Sequence, residues 1–303
     1  MSKIILWITA VRPQFFTATI VPIAVGASAA YYATGSFDLK LFLITLAGGL
    51  FIHGGLNFTN DYYDFKTGND VVNKTPTPFS GGSRFLREGI LKPRQVFTAG
   101  LLCFAIGSAI GLLLNHLCGG YTILTIGVIG VFLAFFYNFD PFKIGYTRLS
   151  EVSTGFGFGT LMVMGAYYVQ ARQLTWQSFY ASLPIAILVA LIQFINQFPD
   201  YEADRATGKN NTVVMIGKAG AVPYYAFFLS SVYVIVLLGV VLKILPVASA
   251  VTLTTLPAAI KSIRMALLNY DKIKELLPAN ALTIVIHLSF GILLAVSFVW
   301  GRK

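Results

Sequence analysis

Two stretches of the chain concentrate side chains able to do chemistry: Asn60-x-x-x-Asp64 with Gly68-Asn69-Asp70 behind it, and Asn196-x-x-x-Asp200-x-x-x-Asp204. Residues four apart share a helix face, so Asn196, Asp200 and Asp204 form one stripe, and Asn60 and Asp64 form another. Gly68 lets the chain turn, so that Asp70 can point back towards the same place. Hard carboxylate and amide oxygens suit Mg2+, which bridges protein carboxylates and substrate phosphates while keeping some of its waters. Helix capping and loop solvation explain either stretch alone about as well, but explain a repeated pattern poorly. An EF-hand is excluded, because Asp61-Tyr62-Tyr63-Asp64 lacks alternating ligands followed by a turn glycine.

Phosphate chemistry has further candidates. In Ser80-Gly81-Gly82-Ser83-Arg84 the glycines let backbone N–H groups approach an anion, Ser83 adds a donor, and Arg84 can bind phosphate bidentately. Lys209, five residues beyond Asp204, Lys143 and Arg12 are candidates of the same kind; as basic residues beside membrane spans they also have an ordinary topological explanation. Asp140 and Glu151 flank one loop and can serve it or the site. Among the many aromatics, Tyr62, Tyr63, Tyr137, Phe194 and Phe198 lie near the acidic motifs. Interfacial belts account for most such rings, and a few can face a cavity and stabilise a cation.

Several apparent motifs carry nothing. Gly155-Phe156-Gly157-Phe158-Gly159 resembles a dinucleotide loop but sits inside an apolar span, where close helix packing explains it better. Gly208-Lys209 lacks the preceding glycine and following Ser or Thr of a phosphate-binding loop. His53, His116 and His287 have no metal-ligand spacing. Cys103 and Cys118 fall in or beside apolar segments and read as small buried hydrophobes.

These residues need a scaffold, and composition states which kind. Of 303 residues 56% are apolar and 11% charged, with a mean hydropathy of +0.74. A soluble domain would carry about a quarter charged residues. The reading is an all-α polytopic membrane protein: one domain over residues 1–303, about nine transmembrane helices around a central cavity, and cytoplasmic cap loops. Expected spans are 15–34, 41–57, two within 95–139 divided at 115–120, 152–170, 179–197, 222–242, 245–260 and 279–300. The start lacks a small-residue cleavage site, so no removed signal peptide is expected.

Nine spans sort the charges. Lys3, Arg12, the basic residues of 66–94, Lys143, Arg148, Arg205, Lys209, Lys218, Lys261, Arg264, Lys272 and Lys274 fall on one side; Lys40, Arg172, Lys243, Arg302 and Lys303 fall on the other. The positive-inside rule then places the N-terminus and the acidic motifs in the cytoplasm and the C-terminus outside. A net charge of +10 confined to such short loops argues against nucleic acid as a partner, and no obligatory protein partner is evident. Two acidic stripes on one side, four spans apart, suggest an internal duplication.

Taken together the motifs resemble the intramembrane UbiA-type prenyltransferases, and most closely the 1,4-dihydroxy-2-naphthoate branch of menaquinone and vitamin K2 synthesis. The resemblance runs through Arg12-Pro13, Asn60-x-x-x-Asp64 with Gly68-x-Asp70, Ser80 to Arg84, and Tyr137 with Pro141 and Lys143. It continues through Glu151, Gly165-x-Tyr167-Tyr168, the second acidic motif and Gly208-Lys209. One position departs: that branch often has Arg before the second-motif Asp, where this chain has Pro199. The resemblance implies transfer of a polyprenyl group from a prenyl diphosphate to an aromatic acceptor. Mg2+ would be held by Asn60, Asp64, Asp70, Asn196, Asp200 and Asp204, with Asp61 and Asn57 in reserve. Arg84, Ser83, Lys209, Lys143 and Arg12 would bind the diphosphate, and Tyr137 with Tyr62 or Tyr63 would stabilise the carbocation. Acceptors such as 4-hydroxybenzoate, a glyceryl phosphate ether or a porphyrin stay open within the superfamily. A cation-coupled secondary transporter is the competing class, but its carboxylates would sit near the bilayer midplane rather than at span ends.

Overall fold

The computed structural model describes residues 2–302, so Met1 and Lys303, the latter placed on the far side above, lie outside the described residues. Among these residues every regular element is helical. Helix α1 (Lys3–Ala10) is capped by the Ser2 side chain and leads through a tight turn at Pro13–Phe15 into α2 (Thr17–Thr34). Helix α3 (Leu39–Lys66) starts under an Asp38 cap and is followed, after Gly68 at φ 82°, by the single turn α4 (Asn69–Val72). Next come α5 (Pro93–Cys118) and α6 (Thr122–Phe136), separated at Gly119 and Gly120, both at positive φ. Helix α7 (Ser150–Thr154) continues through a π-helical stretch, Gly155–Leu161, into α8 (Met162–Ala171). The chain ends with α9 (Trp176–Ala206), α10 (Thr212–Val241), a 3-10 stretch Val247–Thr255 that runs into α11 (Leu256–Asn269), and α12 (Ile273–Trp300).

Seven of these segments are long and apolar enough to cross a membrane. Two of the nine expected spans fall short of that measure. Helix α6 has 15 residues, about 22 Å at 1.5 Å per residue against a hydrocarbon core of about 30 Å. The fifth expected span is interrupted by its π-helical stretch. Helices also overrun the spans expected for them: α3 continues to Lys66, α9 to Ala206 and α11 to Asn269, while α10 begins at Thr212 and α12 at Ile273. Uncharged runs mark where lipid ends, whereas a helix continues as long as one of its faces is buried. On α11 that face is Ser262 and Ala266, with Lys261 and Arg264 turned outward.

Helix α9 is the axis of the bundle, the most deeply buried of the long spans. Its Ile185, Leu188, Ile195 and Phe198 are enclosed in a core that also draws on α2, α8, α10 and α12. Close approach is achieved with small residues, as expected where lipid gives no hydrophobic drive for helices to associate. A Cβ on Gly159 would lie 2.2 Å from the Ala186 Cα, and one on Gly155 2.7 Å from the Ala186 carbonyl oxygen. The glycine-rich run is thus a helix-packing surface, as its apolar context predicts.

Gly159→Leu is therefore expected to destabilise the bundle by about 1–3 kcal/mol or more, read as a lower melting temperature of the purified protein. Gly157→Ala is the control, because a Cβ there meets only Leu133 Cδ1, at 3.8 Å; equal losses from both would argue against the contact.

Candidate active site

The acidic motifs come together because α3 and α9 each run on beyond their apolar runs at the same end of the bundle. Lys209, in the turn that follows α9, joins them: its Nζ lies 3.1 Å from Asp64 Oδ1 on α3 and 3.8 Å from Asp204 Oδ1 on α9. Amides reinforce the junction. Asn69 Nδ2 donates to Asp204 Oδ1 at 2.9 Å, Asn73 Nδ2 donates to Asp200 Oδ1 at 2.8 Å, and Asn211 Nδ2 donates to Asp204 Oδ2 at 2.7 Å. Within the first motif Asn60 Nδ2 donates to Asp64, and the Tyr146 hydroxyl donates to Asp64 Oδ1 at 2.9 Å.

The loop after α4 folds back over the first motif. Ser83 N–H donates to Asp61 Oδ2 at 3.1 Å, and Arg12 forms a 3.0 Å ion pair with the other oxygen of that buried carboxylate. Gly82, at φ 65°, passes so close to Asp70 that a Cβ would lie 2.5 Å from Asp70 Oδ2. Burial, with the nearby Asp64 and Asp61 carboxylates, pushes the Asp70 carboxyl up to about 8 against the pull of Lys209 and Arg12. Burial alone would lower Lys209, but Asp64 and Asp204 hold its ammonium well above the ordinary lysine value. The Tyr146 phenol is raised by burial and by Asp64.

A cavity of about 190 Å³ lies beside these groups. Asn60, Asp64, Asp70, Asn196, Asp200 and Asp204 all border it, as do Arg12, Lys209 and Tyr137. A larger apolar cavity of about 550 Å³ opens between α3, α5, α6 and the α7–α8 segment. Leu56, Tyr137, Thr154 and Phe158 line both, so the polar space leads directly into the apolar one.

Other expected residues are not brought to that wall. Tyr62 packs its ring 4.7 Å from Phe97 and 5.2 Å from Tyr63, in a separate aromatic cluster. Lys143 pairs with Asp140 at an exposed turn. Arg84 donates to the Pro76 carbonyl, and Ser83 binds Asp61 rather than facing the cavity. Asn57, held in reserve, borders the cavity with Nδ2 donating to the Val11 carbonyl at 2.8 Å, whereas Asp61 is engaged by Arg12 and Ser83.

Sequence reasoning quoted Asn69 without giving it a role and missed Asn73, Asn211 and Tyr146. Their one signal is position, within a few residues of an acidic motif or, for Tyr146, of Lys143. His53, read from the sequence as a packing or interfacial residue, lies between Phe16 and Phe158, contacts the Thr19 hydroxyl at 2.8 Å and also borders the cavity.

A family model, the UbiA prenyltransferase family, matches residues 19–284. The chain belongs to this family. It is an integral membrane prenyltransferase. The 2-carboxy-1,4-naphthoquinone phytyltransferase of Synechocystis is 28% identical over 98% of this chain and 94% of its own length. The 1,4-dihydroxy-2-naphthoate octaprenyltransferase of Bacillus subtilis is 31% identical over 76% of this chain and 71% of its own. Among solved structures, an Archaeoglobus fulgidus UbiA homologue bound to DMAPP and Mg2+ has the same fold, with a TM-score of 0.64 at 14% identity over 96% of this chain and 99% of that one.

In this prenyltransferase Lys209→Met leaves two buried carboxylates facing each other without their shared cation. Breaking a buried pair costs about 3–5 kcal/mol, so a marked drop in melting temperature is expected, partly recovered by adding Asp64→Asn. Unchanged melting in the single variant would place the junction's strength elsewhere.

Proposed function

We propose that the chain transfers a polyprenyl group from a prenyl diphosphate to an aromatic acceptor, with 1,4-dihydroxy-2-naphthoate the acceptor favoured by its relatives. The observation that carries this reading is the continuity of a carboxylate- and amide-lined cavity with a larger apolar one. The diphosphate belongs in the first and the isoprenoid tail in the second, with the allylic carbon near the residues they share.

Carboxylates and amides are the donors that Mg2+ takes, although among the described residues no three carboxylates stand close enough together to hold an ion as they are. Asp70 Oδ1 is buried without a partner, and a carboxyl pushed up by burial and by neighbouring carboxylates is relieved when a cation arrives. Asp64, Asp70, Asp200 and Asp204, with Asn60 and Asn196, would hold the ion. Bound there, Mg2+ supplies charge neutralisation for the diphosphate as it leaves. Arg12 and Lys209 add fixed positive charge at the same cavity wall. Tyr137 is the aromatic ring best placed to stabilise the allylic cation. Its hydroxyl oxygen accepts from Gln193 Nε2, and Gly145 makes room for the ring, since a Cβ there would lie 2.5 Å from Tyr137 Cε1. Loss of the ring proton after attack restores the acceptor's aromaticity.

The charge sorting supports a cytoplasmic N-terminus and site, with the C-terminus outside and nine crossings in all. The repeated acidic motif supports a single domain that arose by internal duplication, its halves meeting at Lys209.

The test is to incubate the reconstituted protein with a labelled prenyl diphosphate and each acceptor in turn. Prenylated naphthoate is expected, lost in chelator and restored by Mg2+. Product from 4-hydroxybenzoate, a glyceryl phosphate ether or a porphyrin instead would assign another branch, and full activity in chelator would sink the metal-bridged reading. Asp64→Asn and Asp200→Asn should each abolish turnover, by at least about a hundredfold, while the variants still fold.

A further inference from the structure

Three of the residues that line the polar cavity each carry, among the described residues, a buried side-chain atom with no partner: Nε of Arg12, Oδ1 of Asp70 and Oε1 of Gln197. The first two belong to charged groups suited to an anion and a cation. Gln197 differs in being neutral, an acceptor, and only 7% exposed.

Its orientation is fixed from behind. Gln197 Nε2 donates to Glu151 Oε1 at 2.7 Å, and Glu151 is itself held by the Thr212 hydroxyl at 3.1 Å and the Thr212 N–H at 3.4 Å. Reversing the amide would set its oxygen against a carboxylate oxygen, so Oε1 is necessarily the end left over. One turn earlier on α9, Gln193 is satisfied at both ends, accepting from the Thr154 hydroxyl and donating to the Tyr137 hydroxyl oxygen. That contact leaves the Tyr137 proton free to donate. Gln193 and Gln197 therefore share a face that overlaps the edge of the Asn196, Asp200 and Asp204 stripe, about 40° round from its middle, where their amides meet α7 and Tyr137.

We propose that Gln197 Oε1 accepts a hydrogen bond from a phenolic hydroxyl of the aromatic acceptor, with Glu151 as the positioning residue that aims the amide. The inference rests on the prenyl-transfer reading. Of the two substrates only the acceptor brings a neutral donor, since an isoprenoid tail has none and a diphosphate is largely ionised at neutral pH. A buried acceptor left unpaired disfavours binding of any molecule that cannot supply that donor, so the residue reads the hydroxyl. Drawing on the O–H proton also enriches the ring that must attack the allylic cation.

The test compares 1,4-dihydroxy-2-naphthoate with its O-methyl ethers, by equilibrium binding to the reconstituted protein and by steady-state kinetics. Wild type is expected to bind the hydroxylated form about tenfold or more tightly. The near-isosteric Gln197→Met should erase that preference and raise the acceptor KM by a similar factor, with the prenyl diphosphate KM unchanged. Glu151→Gln, which unlocks the amide, should erase part of it. A preference retained in Gln197→Met overturns the inference, as does a selective rise in the prenyl diphosphate KM and in the Mg2+ requirement, which would assign the oxygen to the metal's hydration shell. If Gln197→Met does not fold, equal wild-type binding of phenol and ether overturns it too. Failure of wild type to prenylate any phenol would bring down the parent reading, whereas the other outcomes leave that reading standing.

Discussion

One buried ammonium group holds the reaction end of this bundle together. Lys209 stands between Asp64 of the first acidic motif and Asp204 of the second, and without a cation those buried carboxylates could not stand so close together. Asn69, inside the first motif, and Asn73, just beyond it, bind the carboxylates of the second. Each motif is thereby completed by groups that belong to the other. Two helices far apart in the chain converge on one cavity, and the loop carrying Ser83 and Gly82 is drawn over it by Asp61 and Asp70.

The rest of the bundle can be understood as what such a junction requires in lipid. Charged groups at a bilayer's edge are tolerated only where protein satisfies them, so α3 and α9 continue as helices past their apolar runs and keep their backbone groups paired. Small residues let α9 approach the Gly155–Leu161 segment closely. Room remains between α5, α6 and α8 for the larger apolar cavity. The polar and apolar spaces meet at Tyr137, Leu56, Thr154 and Phe158, which is the geometry a substrate with a charged head and a long hydrocarbon tail demands. The amides of Gln193 and Gln197 line the same polar space, bound to Tyr137 and to Glu151.

Much of this was legible in the residues alone. Uncharged runs located the helices, since hydropathy reflects a solvent boundary that each segment meets locally. Spacing by four marked the ligand faces, because helical periodicity is a property of the segment itself. The six expected oxygen ligands, together with Arg12, Lys209 and Tyr137, do border one cavity. Helix ends were legible only approximately, because hydropathy marks the edge of lipid and not the end of the hydrogen-bonded spiral. The 15-residue α6 shows the opposite shortfall, an apolar run that supplied a shorter helix than its composition suggested.

The opening motifs, Asn60 to Asp70 and Asn196 to Asp204, were thus determined by the sequence as to type, face and chemistry. Only the tertiary structure decided their partners. Tyr62 lies beside the first motif in sequence yet turns into an aromatic cluster, whereas Tyr146, distant in sequence, reaches Asp64. Gln197 could not be singled out from its neighbours until Glu151 was found to hold one end of its amide. Periodicity is set by bonds between residues close in the chain. Which buried atom is left without a partner depends on every segment that packs around it, and no single segment carries that information.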